Sequence, residues 1–150
     1  MTRPYSLIAF LLLVVGGGLV IGYLTAPGPW YAQLVKPSFN PPNWVFGPVW
    51  TALYVLIAVA GWRVWRWRPR SVAMTLWGAQ LALNFLWSPI FFAAHSIDGA
   101  LVVILLLLLT ILGFIWQAWR LDRVSSALFA PYLLWVAFAS LLNGSIAALN

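Results

Sequence analysis

The chain of 150 residues is 64% hydrophobic and only 7% charged. Its polar residues are too few to cover a water-soluble globule of this size, which excludes a soluble domain and indicates an integral membrane protein. The formal charge of +6 comes from arginines beside apolar runs, a placement typical of orientation in a bilayer, so we expect no nucleic-acid partner. Because the chain has no cysteine, a disulfide framework and a thiolate metal site are excluded.

Prolines, glycines and arginines divide the chain into apolar runs close to the roughly 20 residues that a spanning helix requires. These runs lie near residues 5–25, 44–65, 72–93, 98–119 and 125–147. They show no period-2 alternation, so the strands of a small barrel are the weaker interpretation. The sequence therefore predicts an all-α fold, an integral membrane bundle of five transmembrane helices that forms one domain over residues 1–150.

The distribution of charge predicts the orientation of this bundle. The first run is longer than the roughly 7 to 15 residues of a signal-peptide core, so we expect it to be retained as a helix. One side of the bundle holds seven arginines: Arg3, Arg63, Arg66, Arg68, Arg70, Arg120 and Arg123. The other side has only Lys36. By the positive-inside rule, the N-terminus is inside and the C-terminus outside.

Aromatic residues flank both ends of the predicted helices. The arginine-rich end has Trp62, Trp65, Trp67, Trp116 and Trp119, and the opposite end has Trp30, Tyr31 and Trp44. Belts of this kind anchor helices at the two membrane interfaces. Trp77 belongs to neither belt and is assigned to lipid contact or packing.

Three helices each carry a stripe of aromatic, small or amide side chains. The stripes are Phe46, Trp50 and Tyr54; Gln80, Asn84 and Trp87; and Trp135, Ala139 and Asn143. Their spacings place each stripe on one helix face, and amides are unfavourable against lipid unless they find partners in the bundle. In one interpretation the amides only join helices. In the other, the tryptophans enclose a flat apolar slot beside Ala139 that suits a planar ligand.

Ionisable side chains are scarce. The acidic residues are Asp98 and Asp122, both predicted in loops, and the one histidine, His95, follows the third run. This composition leaves no intramembrane carboxylate for proton-coupled transport, no base and nucleophile for hydrolysis, and no ligand set for a metal. We therefore expect no metal and no required cofactor; haem ligation by His95 is a minor alternative.

The connection 26–43, between the first two runs, is rich in proline. Six of the ten prolines fall between Pro27 and Pro48, and proline restricts both its own backbone and that of the preceding residue. We predict that this segment is a stiff, non-helical lid that lies over the bundle. The alternative is a connector whose aromatics lie at the headgroup level.

Three blocks of the sequence resemble a known family in their order and spacing. They are WYAQLVKPSFNPPNWVFGPVWTALY from Trp30, NFLWSPIFF from Asn84 and PYLLWVAFASLLN from Pro131. The chain resembles the TspO/MBR family, the tryptophan-rich sensory proteins of bacteria and their mitochondrial translocator relatives. The resemblance implies a multi-pass protein of the bacterial cell membrane, usually a homodimer. It also implies a pocket under the first loop for porphyrin or haem-type tetrapyrroles and, in relatives, for drug-like small molecules and sterols.

Matching motif positions carries the family's pocket onto this chain. The implied ligand-binding residues are Tyr31, Pro41, Phe46, Trp50, Tyr54, Asn84, Trp87, Trp135 and Ala139. The implied function is a membrane receptor or sensor that binds tetrapyrroles. Alternatives are a porphyrin carrier and a light- and oxygen-dependent porphyrin-degrading enzyme, for which Trp50 and Trp135 are the catalytic candidates because photoexcited porphyrin can oxidise indole without an acid or base.

The chain departs from the family at two places. The tyrosine and arginine that follow the third block in mammalian relatives are missing from LLNGSIAALN, which argues against a sterol site of that kind. Phe39 replaces the loop tryptophan. For association, Gly18 with Gly22 and Gly78 with Ala82 form small-residue pairs that allow helices to approach closely, either within the bundle or between two copies.

Overall fold

The computed structural model describes residues 4–150; Arg3, which contributes to the predicted orientation, lies outside this range. Five helices are long and apolar enough to cross a membrane: α1 (Tyr5–Leu24), α2 (Asn43–Trp67), α3 (Val72–Ala93), α4 (Ile97–Trp119) and α5 (Arg123–Leu149). Their ends differ by at most two residues from the runs read in the sequence. Since residues 4–150 contain no strand, the predicted all-α bundle is confirmed.

The five helices form a closed ring. Helix α1 packs on α2 and α3, α4 lies between α3 and α5, and α5 returns to pack on α2. We call the end that carries the 62–70 and 120–123 arginines the arginine-rich end, and the end covered by the lid (26–43) the lid end. The lid joins α1 to α2, and connections of three or four residues join the other successive helices, at alternating ends as expected for antiparallel neighbours.

Serine side chains begin two of the helices. The Ser71 hydroxyl accepts a hydrogen bond from the Met74 amide before α3, and the Ser96 hydroxyl accepts one from the Gly99 amide before α4, both at 3.1 Å. Each bond satisfies a backbone donor that has no partner within the helix. The loop prediction for Asp98 is wrong, because this residue lies in the first turn of α4. A carboxylate is favourable there, near the positive end of the helix dipole.

Irregular turns occur in four of the helices; in α5 the turn is at Phe129, between Leu128 and Ala130. Helix α1 contains a π-helical turn over Leu12–Gly16, and α3 ends in another over Pro89–Ala93. Helix α2 begins with a 3₁₀ turn, Asn43–Val45, directly after the Pro41–Pro42 pair. Turns of the π type widen a helix locally and are frequent at functional sites.

The core is densest in the half of the bundle nearer the arginine-rich end. The ring centroids of Phe114 and Phe129 lie 4.1 Å apart, and both side chains are fully buried. Trp77 is buried as well, and its indole nitrogen donates to the carbonyl oxygen of Ile57 at 2.9 Å. Gly61 makes room for this indole, since a Cβ at Gly61 would overlap its ring atoms. Trp77 therefore packs inside the bundle.

An ion pair closes the arginine-rich end. Arg63 of α2 donates from Nε to Asp122 Oδ2 at 2.7 Å and from its terminal nitrogen to Oδ1 at 3.1 Å. Ser125 adds a hydrogen bond from its hydroxyl to the same carboxylate. The Arg63 hydrogen bond lowers the pKa of Asp122 to about 2. The pair fixes α2 to the connection between α4 and α5, because a bidentate contact constrains both partners.

The tryptophans assigned to interfacial belts differ in exposure. Those with large exposed surfaces are Trp44, Trp65, Trp67, Trp116 and Trp119, as expected for anchors. Tyr31 does not fit the belt, because its side chain is only 7% exposed and packs under the lid. Its burial depends on contacts with residues far away in the chain, and these contacts cannot be predicted from the position of an aromatic residue near a helix end.

The lid is partly helical, so the prediction of a non-helical segment is wrong for Pro29–Gln33, which form a short α-helix. Pro29 occupies the first turn, where its fixed φ fits a helix and its missing N–H is not needed. From Leu34 to Pro42 the lid is irregular. Proline thus starts the short helix as well as ending regular structure.

Candidate functional site: an aromatic cavity under the lid

The lid helix is held against the end of α3 by aromatic contacts. The Tyr31 ring centroid lies 5.3 Å from that of Phe92 and 6.1 Å from that of Phe91, both edge to face. Trp30 stacks on His95 with a centroid distance of 4.3 Å and an interplanar angle of 9°. Burial raises the pKa of Tyr31, against a smaller opposing effect of its hydrogen bond with Asn40. Tyr31 therefore remains a neutral phenol at physiological pH.

Polar contacts hold the rest of the lid in place. The Asn150 side chain accepts from the Val35 amide at 3.1 Å and donates to the Val35 carbonyl at 2.9 Å. Lys36 donates from Nζ to the Leu34 carbonyl at 3.2 Å and lies 4.5 Å from the Tyr31 ring centroid. The lid is thus joined to the end of α5 as well as to α3.

A cavity of about 580 Å³ lies beneath the lid. This volume is within the roughly 300 to 1,000 Å³ of small-molecule sites. All five helices contribute to its walls, with Ile104 and Leu107 as the contribution of α4. The cavity occupies the half of the bundle nearer the lid end, where the helices separate.

The three stripes seen in the sequence converge on this cavity. Trp50 of α2 and Trp135 of α5 meet edge to face, with ring centroids 6.4 Å apart and an interplanar angle of 87°. Phe46 contacts Trp135 at 5.8 Å, and Tyr54 contacts Trp50 at 5.6 Å. Ala139 lies in the same wall one turn along α5 from Trp135. The result is an apolar space bounded by aromatic faces and edges.

Eight of the nine implied ligand-binding residues line the cavity: Tyr31, Phe46, Trp50, Tyr54, Asn84, Trp87, Trp135 and Ala139. The ninth, Pro41, is not among the lining residues, although its neighbours Asn40 and Asn43 are. The role of Pro41 in binding stays a prediction. In the structure, Pro41 belongs to the irregular part of the lid.

Sequence reasoning missed the wall formed by α1. That wall includes Gly18, Leu19, Ile21, Gly22, Tyr23 and Thr25. Helix α1 is apolar throughout and carries no aromatic or amide stripe, so no periodic signal marked one face. Its glycines were a usable signal, but they were interpreted only as a means of helix association.

Two of the side-chain amides join helices and also line the cavity, so both interpretations made from the sequence apply. Asn84 donates from Nδ2 to the Tyr132 hydroxyl at 2.7 Å, and that hydroxyl donates to Gln80 Oε1 at 2.8 Å. Trp87 donates from its indole nitrogen to Asn143 Oδ1 at 3.0 Å. Asn84 and Asn143 thus join helices while also lining the cavity, whereas Gln80 is wholly buried and outside it.

Two polar atoms of cavity-lining residues are buried without a partner. The indole nitrogen of Trp135, a donor, and the side-chain oxygen of Asn40, an acceptor, make no hydrogen bond within residues 4–150. The lining set includes no aspartate, glutamate, histidine, lysine or arginine. His95 is exposed at the edge of the lid, with a left-handed φ of 56°, and does not line the cavity. The chemistry available in the cavity is therefore apolar contact with a few neutral donors and acceptors.

Five membrane-spanning helices around an aromatic cavity define a multi-pass integral membrane protein whose cavity has the volume of a small-molecule site. Residues 9–149 match the TspO/MBR family. The chain is 38% identical to protein CrtK of Rhodobacter capsulatus over 133 residues, 86% of this chain and 83% of that protein. It is 37% identical to the tryptophan-rich sensory protein of Cereibacter sphaeroides over 150 residues, 100% of this chain and 95% of that protein.

A third relative is the human translocator protein, 39% identical over 119 residues, which are 76% of this chain and 70% of that protein. The chain belongs to the TspO/MBR family, since both the family match and these identities extend over most of its length. The bacterial relatives indicate a bacterial cell membrane as its location.

Proposed function

We propose that this protein is a membrane receptor or sensor that binds tetrapyrroles, porphyrin or haem type, in the cavity under the lid. The observation that carries the proposal is the convergence of Trp50, Trp87 and Trp135 on one apolar space beside Ala139. The names of two relatives, a sensory protein and a translocator protein, support a role in sensing or handling a ligand.

The shape and chemistry of the walls suit a flat, largely apolar ring. Aromatic rings attract one another in offset or edge-to-face arrangements with centroids about 4.5 to 7 Å apart, so a planar macrocycle gains contact with several indoles at once. The methyl group of Ala139 takes little space in the wall, where a larger side chain would fill the cavity. The unpartnered indole nitrogen of Trp135 supplies one donor for a polar atom of the ligand.

The test is an equilibrium titration of protoporphyrin IX into the detergent-solubilised protein, followed by tryptophan fluorescence. We expect saturable quenching at micromolar concentrations. Ala139→Phe places a ring inside the cavity and should weaken binding about tenfold or more, because an overfilled site loses several favourable contacts. Ala137→Phe is the matched control, since Ala137 lies on the same helix with its side chain exposed. Equal affinities in the two variants would rule out this cavity as the site.

A second candidate function is favoured by the pair of indoles at 6.4 Å. Trp50 and Trp135 both line the cavity, so a porphyrin bound there and excited by light would take one electron from an adjacent indole, leaving an indole radical cation and a porphyrin radical anion. Molecular oxygen is the oxidant that would then add to the porphyrin ring and open it. Product beyond one equivalent per protein, formed in light and oxygen and absent in Trp50→Phe and Trp135→Phe, would promote degradation over simple binding. Stoichiometric loss of porphyrin that is the same in all three proteins would remove this candidate.

A further inference from the structure

Helix α1 packs tightly on its neighbours near the middle of the membrane-spanning helices. A Cβ at Gly18 would overlap the Tyr54 ring, and a Cβ at Gly17 would lie 2.9 Å from the Phe85 ring. These contacts are possible only because both positions lack a side chain. At this level, the inner end of the cavity, α1 is in direct contact with side chains of both α2 and α3.

One turn closer to the lid end, the same helix no longer closes on α2. Gly22 of α1 and Gly47 of α2 both line the cavity, and both are exposed. A Cβ at either position would meet no atom within 4 Å. The end of α1 is joined to α3 instead, through the Thr25 and Ser88 hydroxyls at 2.6 Å. The cavity therefore reaches the outer surface between α1 and α2.

The other sides of the cavity are covered by side chains. Between α2 and α5, Phe46 contacts Trp135 at 5.8 Å, and Phe39 of the lid contacts Phe138 at 6.2 Å. Between α3 and α5, the hydrogen bond from Trp87 to Asn143 spans the gap. The top is covered by the lid helix. The gap between α1 and α2 is thus the side of the described structure that lacks such a cover.

We propose that this gap, framed by Gly22 and Gly47, is a lateral portal through which a membrane-dissolved planar ligand enters and leaves the cavity. Gly22 lies two residues from the end of α1 and Gly47 four residues from the start of α2, both at the lid end, which places the portal in the outer part of the membrane leaflet on that side. The neighbouring α1 side chains Leu19 and Tyr23 are 51% and 84% exposed, so the approach is apolar. The inference rests on the proposed ligand cavity and adds that the ligand arrives from lipid while the lid stays closed.

The absence of cysteine from the chain allows the portal to be blocked at one chosen atom. Gly22→Cys is prepared in lipid nanodiscs and modified with either a bulky maleimide or methyl methanethiosulfonate. Protoporphyrin IX is the probe, and association and dissociation are followed by stopped-flow tryptophan quenching. Gly16→Cys is the matched control, since Gly16 lies on the same helix, also with open space around its Cβ, and does not line the cavity.

With the bulky adduct of Gly22→Cys, both association and dissociation should slow at least about fivefold relative to the bulky adduct of Gly16→Cys. The small adduct of Gly22→Cys should slow both rates less than the bulky one, and either adduct of Gly16→Cys should leave both rates within about twofold of the unmodified protein. A blocked portal slows entry and exit by the same factor, whereas damage to the binding site speeds dissociation, and this difference separates the two.

Two results would overturn the portal alone, and a third would overturn the tetrapyrrole site together with it. Unchanged rates in fully modified Gly22→Cys would show that ligand does not pass this gap, and faster rates in Asn150→Ala alongside them would place entry under a loosened lid. Loss of the final amplitude would place the adduct within the bound ligand's own space. If the unmodified protein shows saturable quenching, either of these results means that only the portal has failed. If the unmodified protein shows no saturable quenching, the proposed tetrapyrrole site fails together with the portal.

Discussion

Replacing Tyr132 by phenylalanine removes one oxygen atom from the centre of the bundle and should destabilise the fold measurably. The Tyr132 hydroxyl is fully buried, accepts from Asn84 at 2.7 Å and donates to Gln80 at 2.8 Å. Gln80 is wholly buried, so its side-chain oxygen would be left without a partner, and Asn84 would lose a hydrogen bond at the cavity wall. A buried polar group left unpaired costs about 1 to 3 kcal/mol. Hydrogen bonds between membrane helices have a smaller average of about 0.6 kcal/mol.

We expect Tyr132→Phe to lower the free energy of unfolding by about 1 to 3 kcal/mol. The lower limit counts two lost hydrogen bonds at the average for membrane helices, and the upper limit is the full cost of one buried polar group left unpaired. The assay is reversible unfolding in mixed micelles of increasing SDS content, followed by circular dichroism. Tyr23→Phe is the control, because Tyr23 is 84% exposed and its hydroxyl can reach the membrane surface. Equal stabilities of the two variants would refute the assigned network.

A double-mutant cycle sharpens this prediction. The amide nitrogen of Gln80 is buried and has no hydrogen-bond partner in the part of the chain that the structure describes. Gln80→Leu therefore removes a group that is already unsatisfied, together with the acceptor for Tyr132. Adding Gln80→Leu to Tyr132→Phe should cost less than the sum of the two single changes, because the second change removes a group that the first left unpaired. A strictly additive pair would show that the two side chains do not interact.

Three further predictions concern other contacts. The pKa of Asp122 is about 2 in the folded protein and 3.8 without its partners, so the ion pair with Arg63 stabilises the fold fully above pH 3.8 and loses this contribution as the pH falls toward 2. Asp122→Asn should remove this part of the acid sensitivity in unfolding curves measured over a series of pH values. Gly61→Ala should lower the unfolding free energy by about 1 to 3 kcal/mol, since the added methyl overlaps buried Trp77. If Gly78 forms the predicted homodimer contact, Gly78→Leu should shift the protein to monomer in light scattering with little loss of monomer stability, because a Cβ there meets nothing within 4 Å.

Each of these has an outcome that contradicts it. An unchanged acid limb in Asp122→Asn would show that other groups govern stability at low pH. Gly16→Ala is the control for Gly61, because its added Cβ meets nothing within 4 Å. Similar unfolding of the two would contradict the close approach to Trp77. A dimer that survives Gly78→Leu would place the interface on another helix.

The amino-acid sequence by itself determined the class of protein, the number of helices and the residues that converge. Hydrophobic length is a local property, so apolar runs near 20 residues specify spans regardless of the fold. Helical periodicity is local as well, which is why Trp50, Asn84 and Ala139 could be assigned to inward faces before any contact was known. The three matching blocks then predicted the family, to which the chain belongs.

Only the tertiary structure decided what depends on residues far apart in the chain. The helical start of the lid, the burial of Tyr31 and the hydrogen bonds of Tyr132 arise from contacts across the bundle. The wall formed by α1 has the same origin. A glycine has no side chain that would indicate its role in the sequence. Gly18 permits close packing and Gly22 leaves a gap, and the difference depends on which neighbour faces each of them. Side-chain type sets which face a residue occupies, whereas the space beside it is set by the packing of the other helices.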